Sequence, residues 1–371
     1  MASREKYKSI RFRELALDYA TDMSDRSAAK RLNRIRLESG GISAQTYRNT
    51  VEREGMAIEA AIEKKCAEGL ADNGFNMDGE INETTEFTPE ASEYLPIEAI
   101  GAAAAERNIK KAYVCDYELP EHTVNISADD VCAKRQTETR PRGEAEQPKR
   151  VNNSVIHVEN NGGKYILNSS SVFGALRLLI GFLLCGGLLK KQLVFFTDGA
   201  REIHNEISRM FAFANYKIIL DWYHLQKKCK EQLSMALKGS TIRNEFLKED
   251  LLPCLWFGNV DGAMALLRNI NPKKVRNPDE IDKLIGYFER CRAYIPNYAL
   301  RKELGLRNSS NLGEKANDLI VSSRQKHNGM SWSDDGSHAF ASVSAVVCNR
   351  ELENWIHNQS VDFRFCMNNA G

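Results

Sequence analysis

Net charge, cysteine pairing and long apolar runs are all nearly missing from this sequence. Lysine and arginine exceed aspartate and glutamate by one, 51 against 50 across 371 residues, so no global charge draws the chain to nucleic acid. Any such affinity has to reside in local patches. The nine cysteines (66, 115, 132, 185, 229, 254, 291, 348 and 366) are scattered, and the close pairs of a zinc knuckle are absent. An odd, unframed set predicts reduced thiols in a cytosolic compartment. The opening MASREKYKSIRFREL has no apolar h-region and does not read as a signal peptide. The most apolar stretch, VFGALRLLIGFLLCGGLL (172–189), is broken by Arg177 and by Gly186-Gly187. That predicts a buried helix in a soluble protein rather than a membrane span. There is also no P-loop, no Rossmann glycine pattern and no serine–histidine–acid arrangement, which argues against a nucleotide cofactor.

What is present divides into three zones. Residues 11–60 have helical periodicity in FRELALDYATDM, in SDRSAAKRLNRI behind a Ser24 or Asp25 cap, and in SAQTYRNTVEREG from Ser43 to a stop at Gly55. The third segment bears Arg48 and Arg53 and could be the reading helix of a helix-turn-helix. The connection NRIRLESGGI is longer than that motif's usual turn, and a small bundle with solvated charges fits as well. From Ala67 to Ile100 the chain holds nine acidic residues and no lysine or arginine. This reads as a self-repelling, partly disordered linker and a domain boundary.

Beyond it the pattern becomes α/β. HTVNISADD, SVIHVEN and KYILNSS alternate as strands, the last two joined by a hairpin turn at Asn161-Gly162-Gly163. The apolar helix follows, then the strand QLVFFT, the helix AREIHNEISRMFAF, the strand YKIILDW and a helix that Gly239 ends. Residues 241–306 read as helical, and GEKANDLIVSSRQKHNG forms a last helix stopping at Gly329. A hairpin sheet running into strand–helix units predicts a mixed sheet with helices on its faces. Trp256, Trp332 and Trp355 read as core or interface anchors, and His157 as a satisfied strand residue.

The stretch LVFFTDGAREIHNEI places Asp198 and Gly199 just past a strand. Asp129 ends the first strand and Asp221 closes KIILD. Ligands of open α/β sheets gather outside strand carboxyl ends. Clustered carboxylates repel one another unless neutralised, and a hard divalent cation such as Mg²⁺ suits oxygen ligands. Two such ions can grip the attacking and leaving oxygens of a phosphodiester. The plain alternative is that each aspartate serves a turn or caps a helix, as Asp198 would for a helix starting at Ala200.

Four motifs in order, SADDVCAKRQ (127–136), FFTDGAREI (195–203), LDWYHLQKKC (220–229) and LGEKANDLIVSSRQKHNGMSWS (312–333), resemble prokaryotic insertion-sequence transposases of the DDE type. The resemblance spans about residues 120–355, and more loosely the N-terminal helices. It implies a ribonuclease-H-like core in two parts, 111–240 and 307–371, interrupted by a helical insertion at 241–306. A helical DNA-binding domain (1–66) and the acidic linker (67–110) would precede it. It further implies that Asp129, Asp198 and Glu314 are the catalytic, metal-binding triad, holding two Mg²⁺ ions for which Mn²⁺ may substitute. The family usually has glycine after the first aspartate where this chain has Asp130, so the first ligand is Asp129 or Asp130.

Asp221 and His224, spaced D-x-x-H, join the catalytic set outside the triad. The histidine would orient a phosphate or protonate a leaving oxygen, or else simply hydrogen-bond a neighbouring carboxylate. On the glutamate helix, Asn317, Asp318 and Ser322 are expected to share a face with Glu314, with Leu319 and Ile320 inward. Arg324 and Lys326, with Lys315 and His327 nearby, would contact DNA phosphates or form a solvated charged end that suits the helix dipole; Arg48 and Arg53 would also contact DNA, and the basic loop 134–150 would touch the DNA backbone or only solvent. The implied activity is cleavage of element ends and strand transfer into target DNA. Its partners would be double-stranded DNA (terminal repeats and target) and at least a second copy of the chain. The implied location is cytoplasmic and nucleoid-associated, with no membrane and no nucleotide cofactor. The alternatives are a DNA-binding regulator or domesticated remnant with an inactive core, and a structure-selective nuclease of the same fold.

Overall fold

The structure, a computed structural model, describes residues 9–36, 41–106, 117–136, 149–326 and 330–365. His327, Gly329 and residues 137–148 of the expected basic loop lie outside the described residues. In chain order the first elements are α1 (Ile10–Asp22), α2 (Asp25–Arg36), α3 (Ala44–Asp72) and α4 (Ile97–Glu106). Then come β1 (Thr123–Lys134), β2 (Arg150–Asn160), β3 (Gly163–Ser169), α5 (Val172–Cys185), β4 (Gln192–Thr197), α6 (Arg201–Met210), β5 (Tyr216–Leu220) and α7 (Trp222–Ala236). The helical block holds α8 (Ser240–Glu245), α9 (Leu252–Trp256), α10 (Val260–Arg268), α11 (Pro278–Cys291) and α12 (Tyr298–Glu303). Last are α13 (Asn311–Asn317), a π-helical continuation at Asp318–Lys326, α14 (Asp334–Cys348) and α15 (Leu352–Asn358). No helix among the described residues is long and apolar enough to cross a membrane.

The five strands form one mixed sheet in the order β3-β2-β1-β4-β5, the fold class expected of a ribonuclease-H-like core. β2 and β3 are antiparallel around Asn161 (φ 48°) and Gly162 (φ 80°), a two-residue turn whose positive φ values match strand twist. β4 and β5 are parallel, from Leu193 beside Tyr216 to Thr197 beside Leu220. Because both strands end in register, Asp198 and Asp221 leave the sheet at the same edge.

Two compact units make up the chain, one of residues 1–88, 127–190 and 311–371 and the other of 89–126 and 191–310. This differs from the expected division. The N-terminal helices are not a separate domain but part of the first unit. Arg13 donates two hydrogen bonds to the buried Glu54 (2.9 and 2.7 Å), Trp355 donates a third (3.2 Å), and the Tyr47 hydroxyl donates to the Ala16 carbonyl (2.8 Å). Gly55, expected to stop the third helix, instead lies mid-way along α3. A Cβ there would come 2.3 Å from the Ala339 carbonyl oxygen, so the glycine marks where α3 crosses α14 at backbone contact. That burial along one side of a 29-residue helix leaves α3 a packing element more than a free reading helix.

The acidic stretch is also only partly a linker. α3 runs into it as far as Asp72, Phe75 bridges Ile81, and the unit boundary falls at Thr88–Pro89. In the second unit the helical block shares one apolar core with β4, β5 and α7. Leu225, Cys229 and Leu233 of α7 and Leu284, Phe288 and Cys291 of α11 belong to it. The block is therefore an insertion in sequence but not a separate body.

A buried carboxyl in the first unit generates a stability prediction. Glu351, 2% exposed, accepts from the Tyr165 hydroxyl (3.0 Å) and the Phe363 N–H (3.1 Å), while its other oxygen has no partner among the described residues. Burial outweighs those hydrogen bonds and pushes the carboxyl up from 4.5 to about 7. Between these values the unfolded chain loses its proton while the folded one keeps it, so stability falls as pH rises. The total over that window is roughly 3 kcal/mol. Denaturant midpoints at pH 5 and pH 8 should show this loss in the parent protein and a flatter profile in Glu351→Gln.

Candidate active site

The turn after β4 is built tightly. Gly199 has φ 86°, and a Cβ on it would lie 2.9 Å from Leu220 Cδ1 and 3.1 Å from the Tyr287 hydroxyl. Asp198 Oδ1 accepts the Ala200 N–H at 2.8 Å, closing the turn. It does not cap α6, whose N-cap Ala200 offers no side-chain hydrogen bond. Behind it, Thr197 Oγ1 and His204 Nε2 lie 2.6 Å apart. Burial lowers the His204 pKa although the Asp198 charge pulls the other way, so at neutral pH this ring adds no positive charge.

Asp221 is fully buried and works as the N-cap of α7. Its Oδ1 accepts the His224 N–H (2.8 Å) and lies 3.2 Å from His224 Nδ1. Its Oδ2 accepts both the N–H and the hydroxyl of Ser310, the latter at 2.9 Å. Burial alone would raise its pKa, but the hydrogen bonds from His224 and Ser310 outweigh it and hold the carboxyl below its usual value. Asp221 is thus an anionic bracket with both oxygens engaged, and it fixes the ring of His224.

Asp198 and His224 line the same open cleft of about 670 Å³, framed by the β4–α6 turn, α7 and α11. Five cations line it as well, Arg201, Lys227, Lys228, Lys283 and Arg290, against the two carboxylates of Asp198 and Glu231. Lys228 Nζ and Arg290 Cζ lie 5.9 and 5.3 Å from the Tyr287 ring centre, holding two cationic heads at one aromatic ring. The sequence reasoning missed this set. Its signal was weak: Lys227-Lys228 follow the D-x-x-H motif directly, but Lys283 and Arg290 come from a helix over 50 residues away. Only folding shows that they share a wall.

In the first unit, α13 lies flush on β1: a Cβ on Gly313 would meet Ser127 Cβ at 2.6 Å. Asp129 Oδ2 accepts from Asn317 Nδ2 at 2.6 Å, and Glu314 precedes Asn317 by one helical turn. Alternation along β1 puts Asp129 on the side of Val131, which shares a core with Ala316 and Ile320. Asp130 points the other way and accepts from Ser154 Oγ at 2.5 Å. Of the two aspartates, Asp129 is the one on the glutamate helix's side. Asp129 and Glu314 therefore sit in the first unit, and Asp198, Asp221 and His224 in the second. In the first unit the donors beside Asp129 are oxygens, including the buried Asn317 Oδ1, which has no hydrogen-bond partner among the described residues, and oxygen donors suit a hard divalent cation rather than a soft one.

Some expectations fail on this helix. Arg324, expected to reach DNA, is 2% exposed; it donates to Asp25 at 2.6 Å and lies over the rings of Trp332 and Phe340. Asn317 and Ser322 are buried, Ile320 turns inward as expected, and Leu319 faces out. Asn317 belongs to α13, but from Asp318 on the helix is π-helical, and its i→i+5 bonding shifts the register that α-helical counting predicts for Leu319 and Arg324. Lys326 is exposed. Arg48 is partly engaged, donating to Asp25 at 2.8 Å, and Arg53 keeps about half its side chain exposed, 3.7 Å from Glu54.

Neither a family model nor a curated protein sequence matches the chain. Among solved structures it is similar to the Drosophila P element transposase strand transfer complex, at 9% identity and a TM-score of 0.30, covering 98% of this chain and 83% of that one. It is also similar to a pre-cleavage Mos1 transpososome, at 11% identity and a TM-score of 0.17, covering 79% and 80%. A third is the Mos1 mariner paired end complex with Mn, at 11% identity and a TM-score of 0.18, covering 88% and 82%.

Because Arg324 is buried against a carboxylate, removing its charge should register in stability rather than in DNA affinity. Arg324→Met is expected to cost about 3 kcal/mol, the scale for stripping one partner from a buried pair. Urea denaturation measures the loss, and the salt dependence of duplex binding should stay as in the parent.

Proposed function

We propose that this chain is a DNA transposase of the DDE type, cleaving element ends and joining them to target DNA. The observation that carries the reading is the cleft, in which a strand-end carboxylate, Asp198, faces cations from three separate helices. A metal-binding acid and phosphate-binding cations in one cavity suit a nucleic-acid strand whose backbone is cut there. In this reading Asp129, Asp198 and Glu314 hold two Mg²⁺ ions, with Mn²⁺ able to substitute. Ions bound there would supply the positive charge that activates an attacking oxygen and neutralises a leaving one.

The chain's own groups do the rest. Arg201, Lys227, Lys228 and Arg290 grip the phosphates flanking the scissile one and fix the strand in line for attack. Asp221 orients His224, whose ring would pass a proton to the leaving 3′-oxygen. The chain makes no covalent bond to DNA, so cleavage and joining use the same seat. Cutting two ends together calls for at least two copies in the working complex. The substrates are double-stranded: the element's terminal repeats and the target.

The test is a strand-transfer assay with duplexes taken from the DNA flanking the chain's own gene, with Mg²⁺ and with chelator. Asp198→Asn should slow cleavage by at least about a hundredfold, roughly 2.7 kcal/mol of barrier, while duplex binding persists. Undiminished cleavage by that variant would overturn the assignment. Cleavage without joining would point to a nuclease, and binding with no Mg²⁺-dependent chemistry to a regulator.

A further inference from the structure

Between two crossings at backbone contact, α3 runs past a polar cavity. At Gly55 the helix meets α14, and at Gly69 it meets α5, where a Cβ would come 3.2 Å from the Gly181 carbonyl oxygen. The cavity, about 150 Å³, is walled by Glu59 and Glu63 of α3, Asn168 of β3, and His338 and Ser342 of α14. Ile62 and Leu178, both buried, give it an apolar side. All of these residues belong to the first unit.

The polar wall has acceptors to spare. Asn168 is 9% exposed; its Nδ2 donates to Ser342 Oγ at 3.2 Å, and its buried Oδ1 has no partner among the described residues. Ser342 in turn donates its one proton to Glu59 Oε1 at 3.1 Å. A hydroxyl already donating can only accept from Asn168, so the amide is fixed with its oxygen unused. Glu59 Oε2 takes no hydrogen bond, and its carboxylate no ion pair, among the described residues. Glu63, by contrast, is paired with Arg177. His338 Nε2 lies 2.9 Å from the Asn152 carbonyl oxygen, so that nitrogen carries the proton and Nδ1 of the neutral ring is an acceptor. Burial raises the Glu59 pKa more than the Ser342 hydrogen bond and His338 lower it, and the charges of Asp335 and Glu63 add to the rise. Free acceptors in a negative field suit a donor that is itself positive.

We propose that this cavity binds a small aliphatic amine, whose primary ammonium donates to Glu59 and to Asn168 Oδ1 while its methylenes lie against Ile62 and Leu178. The inference is independent of what the Asp198 cleft does. An ammonium brings N–H donors and one positive charge to a site with unused acceptors and one unpaired carboxylate. A bare divalent cation fits less well. It gathers its oxygen ligands at about 2.0–2.6 Å, whereas Glu59, Glu63 and His338 do not bring three ligand atoms within 4.8 Å of one another. Hydrogen bonds of about 2.9 Å from a central ammonium reach more widely spaced partners. The two helix crossings hold the walls in place before a ligand arrives, which lowers the cost of binding.

Isothermal titration calorimetry of the full chain with n-butylammonium chloride, at ionic strength matched by sodium chloride, tests this. A single site is expected, with a dissociation constant on the order of 1 mM or tighter. n-Butanol has the same chain without the charge, and tetramethylammonium has the charge without N–H. Each should bind at least about tenfold more weakly. Glu59→Gln, which keeps the size and removes the charge, should weaken the amine at least about tenfold, and Asn168→Ala about threefold or more. The amine should also raise the Tm of the parent and leave that of folded Glu59→Gln unchanged.

If the variants do not fold, the three probes on the parent chain decide the matter. No amine binding by the parent would overturn the proposal and leave a cavity that holds water. Butanol binding as tightly as the amine would make it an apolar void. Mg²⁺ binding in place of the amine would make it a metal site. Undiminished amine affinity in folded Glu59→Gln would move the amine elsewhere on the chain. Each of these results sinks the assignment.

Discussion

A guanidinium inside a protein must be neutralised where it lies, and much of the first unit is arranged around one such charge. Arg324 enters the core from the helix that carries Glu314, and Asp25, at the start of α2, meets it there. Taking both charges out of water costs several kcal/mol per ion, so the pair survives only with good geometry and further partners. Arg48 supplies one on the carboxylate side; the rings of Trp332 and Phe340 supply others on the cation side. The result ties the N-terminal helices to the glutamate helix.

In the second unit the comparable fixed point is Asp221. Both its oxygens are engaged by N–H and hydroxyl donors of residues from 224 to 310, so the start of α7 and the end of the helical block are set by one carboxylate. His224 inherits its orientation from that bracket. Asp198, by contrast, spends one oxygen on its own turn and still lines the cleft. The opposition between turn residue and chemical residue is a false one at this position, because two oxygens can serve two purposes.

Local signals in the sequence were read well where local physics decided the outcome. The hairpin at Asn161-Gly162 follows from residues that tolerate positive φ, and the buried helix at Val172–Cys185 from an apolar run with too many interruptions for a membrane. Asp198 and Asp221 were visible because an apolar run stops abruptly before each, whereas Asp129, expected at a strand end, lies inside β1, which continues to Lys134. Long-range matters were not visible. Gly55 looks like a stop signal in one dimension and is a crossing point in three. Arg324 looks solvated until Asp25, about 300 residues earlier, is brought against it. The π-helical stretch leaves no mark in composition, yet along it Leu319 faces out and Arg324 faces in, against α-helical counting. The cationic wall of the cleft draws on α6, α7 and α11 and so has no contiguous signature.

The shared core of the helical block with β4, β5 and α7 bears on how such a chain can change over evolutionary time. Modules that carry their own hydrophobic interior can be lost, duplicated or exchanged between lineages at little penalty. This block has no interior of its own: Leu284 and Phe288 belong to the same apolar mass as Val194 and Ile219. Trimming it would strip the sheet of its cover, so shortened descendants of this chain would have to acquire replacement apolar surface in the same step.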